Sequence, residues 1–221
     1  MDYNILKSIP LFNGIAESDY STMLGCVGST VASFSKNENI ITEQDNIKTI
    51  GVILDGSVQM SQTDVWGGKT IIGNLKKGDI FGESFVLGGA ECSSISVTAL
   101  SECEIMFMPF QRIIHTCSHS CSHHKKLGDN MVSLIAEKNL RLLEKMEIIT
   151  KKTLREKIMT YLSIEAQRNE CAYFEIPLAR AELAEYLCAD RSALSRELAK
   201  MKGEGIIDYH KNTFRLLKVN M

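Results

Sequence analysis

The chain has 221 residues, of which 44% are hydrophobic and 24% charged, and its formal net charge is −2. This composition is typical of a soluble globular protein with two modest domains. No apolar run approaches the roughly 18 residues that a membrane-spanning helix needs, so a membrane partner is not expected. Polar residues at Asp2, Asn4 and Lys7 interrupt the start of the chain, which argues against a signal peptide and predicts a cytoplasmic protein.

The distribution of charge indicates a class of partner, and the cysteine content indicates the redox state of the thiols. Residues 151–221 carry 13 basic and 10 acidic side chains, a net of +3, whereas the rest of the chain carries −5. A mildly basic C-terminal part fits contact with nucleic-acid phosphates by one end only. The seven cysteines are an odd number without framework spacing, so reduced thiols are expected rather than disulfides.

In chain order, a short helical lead-in over residues 1–24 precedes a region of strands. From about Ala32 to Pro109, short alternating apolar runs are separated by turn residues such as Asp55-Gly56 and Gly67-Gly68. Many short strands at even spacing predict an antiparallel β jelly roll. With the helices that follow, the fold class is α+β.

Gly78 to Ser84 is a candidate ligand-binding segment within this region. Its glycines would let a ligand approach the backbone, and Glu83, next to Gly82, could accept hydrogen bonds from a ligand hydroxyl. The alternative is a turn with a surface carboxylate, and the segment alone favours that alternative.

Cysteines and histidines are concentrated between His115 and His124. On a helix, Cys117, Cys121 and His124 share one face, because they follow i, i+4, i+7 spacing. Such a face could hold a soft metal such as zinc or iron and act as a metal or redox sensor. The spacing is not that of a standard zinc motif, and a buried thiol with solvated histidines is the favoured alternative.

Residues 131–149 show a heptad pattern that predicts a dimerisation helix. The two seam positions repeat every seven residues and are occupied by Val132, Ile135, Asn139, Leu142, Met146 and Ile149. This is the a/d pattern of a two-stranded coiled coil, in which Asn139 would pair with its twin and fix the register. Leu134, Leu140 and Leu143 form a second apolar edge expected to lie on the sheet domain. The alternative is a long monomeric helix packed on one side.

The segment from Ile176 to Ile207 predicts two short amphipathic helices joined by a tight corner. Asp190 is a good N-cap for the second helix. The outward side of that helix carries Arg191, Ser192, Ser195 and Arg196, residue types that bond to guanine, other bases and phosphates in the major groove. Arg180, at the start of the first helix, is a further DNA-contact candidate.

An ordinary helical hairpin with a solvated charged face would give the same pattern. The segment after Gly205 favours DNA binding, because two apolar runs around the turn 210–212 predict a β-hairpin. Together these elements make a winged helix-turn-helix.

With jelly roll, dimerisation helix and winged helix-turn-helix in this order, the whole chain resembles the Crp/Fnr family of bacterial transcription regulators. The resemblance is carried by Gly78-Asp79-Ile80-Phe81-Gly82-Glu83 and by Asp190-Arg191-Ser192-Ala193-Leu194-Ser195-Arg196-Glu197-Leu198. It implies that Arg191 and the Ser195-Arg196 pair contact an operator, often a two-fold symmetric one. Ser192 replaces the family's common glutamate. Cys188 occupies a turn position where a glycine is frequent, and a non-glycine residue there would cost about 1 kcal/mol of stability if the backbone is left-handed.

The resemblance also bears on the effector. Members that bind cyclic AMP have a Gly-Glu pair for the ribose, matched by Gly82 and Glu83, and an Arg-Ser pair for the phosphate. In this chain, Cys92 and Ser93 occupy the positions of the Arg-Ser pair. A buried phosphate without a cation is heavily penalised, so tight cyclic-nucleotide binding is not expected. Only Cys26 lies near the N-terminus, so the iron–sulfur cluster of oxygen-sensing members is not expected either.

The sequence therefore predicts three parts: a sensor over residues 1–126, a dimerisation helix over 127–150 and a DNA-binding domain over 151–221. The predicted function is a homodimeric, sequence-specific transcription regulator, with double-stranded DNA and RNA polymerase as candidate partners and an unidentified effector. The alternative is a cyclic-nucleotide-like ligand-binding subunit whose C-terminal hairpin docks a protein. An enzymatic function ranks last among the three classes of function, because the sequence shows no recognisable nucleophile–base pair and no paired carboxylates. No cofactor is assigned.

Overall fold

The computed structural model describes residues 3–114, 122–171 and 173–217. The chain divides into an N-terminal unit, residues 1–136, and a C-terminal unit, residues 137–221. This division lies inside the segment predicted as the dimerisation helix. Within the described ranges, no helix combines the length and the apolar character needed to cross a bilayer.

Two four-stranded antiparallel sheets form the N-terminal unit. The strands are β1 (Thr30–Phe34), β2 (Asn39–Ile41), β3 (Thr49–Asp55), β4 (Ser57–Thr63), β5 (Lys69–Lys76), β6 (Ile80–Phe81), β7 (Ser96–Ala99) and β8 (Cys103–Pro109). One sheet has the order β1-β8-β3-β6 and the other β2-β7-β4-β5. This is the predicted antiparallel jelly-roll domain, and the prediction is confirmed.

Alternation along β3 separates two apolar clusters. Ile53 joins a cluster that contains residues of both sheets, among them Val58 and Val97. Val52 and Leu54 point to the other face and join a cluster made with the N-terminal helices. The chain begins with two short 3-10 helices, Tyr3–Ser8 and Pro10–Phe12, followed by α1 (Glu17–Val27). Later in the unit come a short α2 (Glu83–Gly88) and α3 (Phe110–Ile114), and α3 joins the same cluster.

The long helix α4 (Ser122–Ile149) runs from one unit into the other. Near its start, Leu127 and Met131 are buried in the N-terminal core. Near its end, Ile148 is buried in the C-terminal core. Both ends of the helix are therefore fixed by hydrophobic packing.

Three helices and a small sheet form the C-terminal unit. The helices are α5 (Leu154–Arg168), α6 (Arg180–Tyr186) and α7 (Arg191–Gly203), and the strands are β9 (Tyr173–Glu175), β10 (Ile207–His210) and β11 (Thr213–Leu216). The strand order is β10-β11-β9, and β10 and β11 form the predicted hairpin. A shared core joins all three helices to the sheet. This is a winged helix-turn-helix, as predicted.

Candidate nucleic-acid interface

The N-terminus of α7 is capped as the sequence predicts. Oδ1 of Asp190 accepts hydrogen bonds from the backbone N–H groups of Ser192 and Ala193, both at 2.9 Å. The Ser192 hydroxyl donates to the same oxygen. Together these hydrogen bonds hold the pKa of the Asp190 carboxyl below its usual value, and the bond from the Ser192 side chain has the largest effect. The start of the helix is therefore fixed locally by one exposed carboxylate.

The two faces of α7 differ sharply in burial. Leu194, Leu198 and Met201 are buried in the C-terminal core. The opposite side of the first two turns is exposed and carries Arg191, Ser192, Ser195 and Arg196. The Ser195 hydroxyl donates to the Arg191 carbonyl at 3.0 Å. The four predicted DNA-contact residues of this helix are thus brought together on one solvent-facing surface, here called the α7 face.

The corner before α7 has the left-handed backbone that the resemblance implied. Cys188 has φ of 50°, a region that disfavours side chains with a Cβ. Its N–H donates to the Glu185 carbonyl at 3.0 Å, and the Ala189 N–H donates to the Ala184 carbonyl at 2.9 Å. The turn keeps this geometry although a cysteine, rather than a glycine, occupies it.

Arg180 lies apart from the α7 face, against the wing hairpin. Its Nη2 donates to the Lys211 carbonyl at 2.9 Å, and its guanidinium lies 5.3 Å from the Tyr209 ring centroid and 5.4 Å from that of Phe214. Burial lowers the pKa of this guanidinium. Nη1 is buried and has no hydrogen-bond partner within the described ranges. Its contact with DNA stays a prediction.

An open groove of about 480 Å³ adjoins this arginine. It is lined by Glu175, Arg180, His210, Lys211, Asn212 and Thr213. The groove contains the turn of the wing, and Lys211 in that turn has a positive φ of 54°. The wing therefore presents the exposed side chain of Lys211 at its tip.

Arg155 on α5 bonds to the C-terminal half of α7, a contact that sequence reasoning missed. Its Nε donates to Glu197 at 2.6 Å, and its Nη1 and Nη2 donate to Glu204 at 2.6 and 3.0 Å. Hydrogen bonds with Glu204, and then with Glu197, raise the pKa of Arg155. Both glutamates lie more than 40 residues away in sequence, so no local pattern could reveal the contact.

The seam residues of α4 are open to solvent in the single chain. Val132 is 65% exposed and Leu142 62%, and Asn139, Met146 and Ile149 are also exposed. Ile135 is the exception, because it packs partly against the N-terminal core.

The expectation for the second apolar edge of α4 was wrong in part. Leu134 packs on the N-terminal core as expected, but Leu140 and Leu143 are exposed. Burial along this face of the helix ends near Ala136, where the N-terminal unit ends.

The candidate effector residues lie at the start of α2 and in the turn before β7. Gly82 has φ of 86° and precedes α2, where the left-handed backbone suits glycine, and Glu83 is buried. Ser93 is buried, and its hydroxyl donates to the Ile95 carbonyl at 2.6 Å. Cys92, at the place of the phosphate-binding arginine, is exposed. The Ser93 hydroxyl thus bonds within its own turn, its backbone bonds to Gln44 and Asp45, and Cys92 supplies no positive charge.

The proposed metal group is only partly described. Cys117 and Cys121 lie outside the described residues, whereas His124 is buried. Its Nδ1 lies 3.7 Å from Sγ of Cys26, and its Nε2 donates to the Arg112 carbonyl. The alternative of solvated histidines does not hold for His124, since α4 begins against α1 and α3. In the part of the chain that is described, no group of three or more ligand side chains could hold a metal.

Two protein-family models match separate parts of this chain. Residues 31–120 match the model of the cyclic nucleotide-binding domain, and residues 156–221 match that of the Crp-like helix-turn-helix domain. The transcriptional activator protein FnrL of Cereibacter sphaeroides is 25% identical over 187 residues, covering 79% of this chain and 71% of FnrL. The nitrogen fixation regulation protein FixK of Bradyrhizobium diazoefficiens is 21% identical over 179 residues, covering 79% and 72%.

Solved structures show the same fold at low identity. The c-di-GMP responsive global regulator CLP of Xanthomonas campestris has a TM-score of 0.56 at 15% identity, covering 92% of this chain and 100% of CLP. The sensor domain of the transcriptional regulator DNR from Pseudomonas aeruginosa has a TM-score of 0.50 at 15% identity, covering 69% and 95%.

Proposed function

Because the chain belongs to the Crp/Fnr family of DNA-binding transcription regulators, we propose that it acts as a homodimer that places two α7 helices in successive major grooves of a two-fold symmetric operator. The alternative of a ligand-binding subunit with a protein-docking hairpin is not retained, because residues 156–221 match a helix-turn-helix family. We further propose that the protein acts in the cytoplasm and contacts RNA polymerase.

The α7 face is the observation that carries the DNA-reading role. Arg191 and Arg196 project from the first two turns of a capped helix whose opposite side is buried. An arginine near a helix N-terminus can donate two hydrogen bonds to guanine in the major groove. Lys211 at the wing tip would add a phosphate contact, which fixes register without reading sequence.

The homodimer is supported by the unpartnered seam of α4. Four large apolar side chains on it are exposed in the single chain: Val132, Leu142, Met146 and Ile149. A two-stranded coiled coil would bury them, and the exposed Asn139 would face its twin. The same helix contributes Ile148 to the core that also holds α7, so a signal in the sensor could alter the presentation of the α7 face.

The effector at the sensor domain is proposed not to be cyclic AMP. Cys92 offers no charge for a phosphate, and the Ser93 hydroxyl is engaged in its own turn. A phosphate bound there would lose its hydration without gaining a cation. The metal or redox alternative through Cys117, Cys121 and His124 stays a hypothesis, for which metal analysis of anaerobically prepared protein is the test.

Selection of bound duplexes from a random pool tests the main proposal. We expect enrichment of two half-sites about one helical turn apart, centre to centre. The affinity of the selected site should fall steeply with salt, because phosphate contacts release counterions. A dimer that enriches no sequence and shows no salt-dependent retention at low ionic strength would contradict the proposal.

A further inference from the structure

The corner between α6 and α7 is held partly by residues of other helices. The end of a helix leaves several backbone carbonyls without a partner inside that helix. Local N–H groups serve the carbonyls of Ala184 and Glu185. The next two carbonyls, those of Tyr186 and Leu187, accept hydrogen bonds from lysine side chains of α4 and α5. The corner therefore depends on two helices that lie outside the helix-turn-helix.

Lys145 of α4 supplies the first of these bonds. Its Nζ donates to the Tyr186 carbonyl and lies 3.8 Å from the centroid of the Tyr186 ring. A cation in this position is attracted by the face of the ring, more strongly where water is excluded. Lys145 is half-buried, and burial lowers the pKa of its ammonium. One ammonium thus holds both the backbone and the ring of the last residue of α6.

Neighbouring contacts tie the same stretch of α4 to the rest of the C-terminal unit. Glu144 accepts a hydrogen bond from Arg168 of α5, which also donates to the buried Glu165 at 2.7 Å. Ile148, about one turn after Lys145, is buried in the core of this unit. These contacts fix the end of α4 on the domain, and Lys145 adds a polar link to the corner of the helix-turn-helix.

Lys157 of α5 supplies the second bond to the corner. Its Nζ donates to the Leu187 carbonyl at 3.2 Å. Arg155 of the same helix bonds to the C-terminal half of α7. These two residues fix α7 from within the DNA-binding domain, whereas Lys145 fixes its start from the helix that carries the predicted dimer seam.

Lys145 lies beside that seam along α4. The exposed seam residues Leu142 and Met146 are three positions before it and one position after it. Lys145 therefore lies about 60° around the helix from Leu142 and about 100° from Met146, which places it to one side of the seam. The same turn of α4 can face a second copy with its seam and hold the corner of its own helix-turn-helix with Lys145.

We infer that Lys145 is a positioning residue for operator recognition, which links the dimer seam to the corner before α7 and so sets the half-site spacing that the dimer accepts. The inference rests on the proposed homodimer with its two α7 helices. Asp190, the cap of α7, lies only three residues beyond Leu187, so a shift of the corner moves Arg191 with it. One base pair moves a half-site about 3.4 Å along the duplex and about a tenth of a turn around it. A shift of α7 on this scale changes the preferred spacing.

Operators of different spacing test this inference. Each duplex carries two inverted copies of the half-site that the natural chain selects, and the centre is shortened or lengthened by one or two base pairs. Titration of the full-length protein measures the affinity for each duplex. The natural chain should prefer one spacing by about tenfold or more, and Lys145→Met should reduce this preference to about threefold or less. The affinity of the variant for a duplex with one half-site should stay within about twofold, because the base contacts are kept.

Two further variants separate the charge and the donor of Lys145. Lys145→Arg keeps a cation and hydrogen-bond donors and should restore the spacing preference. Lys145→Gln keeps a donor without the charge and should give an intermediate loss. It provides the same test if Lys145→Met does not fold.

Lys157→Met is the matched control, because it removes the other lysine bond to the same corner but leaves the link from α4. Urea unfolding should show a similar loss of stability in Lys157→Met and Lys145→Met, yet Lys157→Met should keep the spacing preference. A Lys145→Met dimer that discriminates spacings as sharply as the natural chain overturns the inference alone. Equal broadening by both variants also overturns it, since any loosening of the corner would then have the effect. A natural chain that selects no half-site, or that is monomeric in sedimentation velocity, overturns the proposed function as well.

Discussion

On the first two turns of α7, two arginines and two serines project from a helix whose other face is packed into the domain. Arg191 and Arg196 are the side chains that can read guanine, since a guanidinium offers two donors in one plane. Ser192 and Ser195 are shorter and can bond to a base or a phosphate. Sequence preference should therefore depend mainly on the two arginines.

Replacing these arginines gives the first prediction. Arg191→Ala or Arg196→Ala should each weaken binding to the selected operator by about 1–3 kcal/mol and relax preference at one base position. Binding titrations with the operator and with single-base variants measure both effects. Lys200→Ala is the control, because Lys200 is exposed farther along the same helix. Equal losses for all three variants would mean that only charge, and not base reading, is involved.

Cys188 allows a prediction about backbone strain. Cys188→Gly should raise the free energy of unfolding by up to about 1 kcal/mol, because glycine adopts a positive φ without a Cβ clash. Cys188→Ala keeps the Cβ and should give no such gain. Urea unfolding of the three proteins measures the difference. If alanine stabilised the domain as much as glycine, the thiol rather than the backbone would be responsible.

Cys92 gives a prediction for the sensor. Isothermal titration of the full-length protein with cyclic AMP should detect no micromolar binding, since an uncompensated phosphate is costly to bury. Cys92→Arg should increase the affinity at least about tenfold by supplying a bidentate cation, whereas Cys92→Ser should not. Micromolar binding by the unaltered chain would refute the prediction.

At the scale of the element, the cap of α7 links helix stability to pH. The folded pKa of Asp190 lies below the ordinary aspartate value of about 3.9, because hydrogen bonds favour the charged form. A group with a depressed folded pKa stabilises the fold above its unfolded pKa. This contribution is lost as the pH falls through the folded pKa.

Asp190 variants test this linkage. At neutral pH, Asp190→Ala should lower the melting temperature, because two backbone N–H groups lose their acceptor. Asp190→Asn keeps an acceptor and should retain most of the stability without the acid dependence. The difference between the natural chain and the asparagine variant should therefore shrink as the pH is lowered below about 4. Identical pH profiles for these two proteins in thermal unfolding would contradict the assignment.

Helix α4 illustrates what an amphipathic pattern can and cannot define. Its heptad is visible in the sequence, and the seam residues other than Ile135 are exposed, as an unpaired coiled-coil face requires. Of the flanking leucines, Leu134 packs on the N-terminal core as expected, whereas Leu140 and Leu143 were assigned to the wrong surface. Periodicity identifies an apolar side of a helix, but it does not say where the domain that covers that side ends.

At the scale of the whole molecule, dimerisation and DNA binding should be coupled. Leu142→Glu should weaken the dimer by about 3 kcal/mol or more, because it removes a seam leucine and opposes two carboxylates. Operator affinity should then fall toward that of one half-site, since two reading helices are no longer linked. Sedimentation velocity and operator titration measure the two effects together.

Ser133→Glu is the matched control for this coupling. Ser133 is exposed on the same helix but lies off the seam, so the dimer and operator affinity should be retained. Loss of the dimer without loss of operator affinity in Leu142→Glu would contradict the coupling.

The sequence by itself determined the order of the domains, the two faces of α7 and the cap at Asp190. These features depend on residues close together in the chain, and local periodicity and capping are set by neighbours a few positions away. The seam of α4 was visible for the same reason. Even the left-handed backbone at Cys188 was anticipated, through the family resemblance.

Only the tertiary structure decided how distant residues meet. Arg155 reaches Glu197 and Glu204 across the domain, Arg180 lies against the wing and His124 lies beside Cys26. The exposure of Trp66 was equally hidden, because a strand pattern does not reveal which strands lack a neighbour. Such contacts depend on how helices and sheets pack, and packing brings together side chains that no local pattern relates.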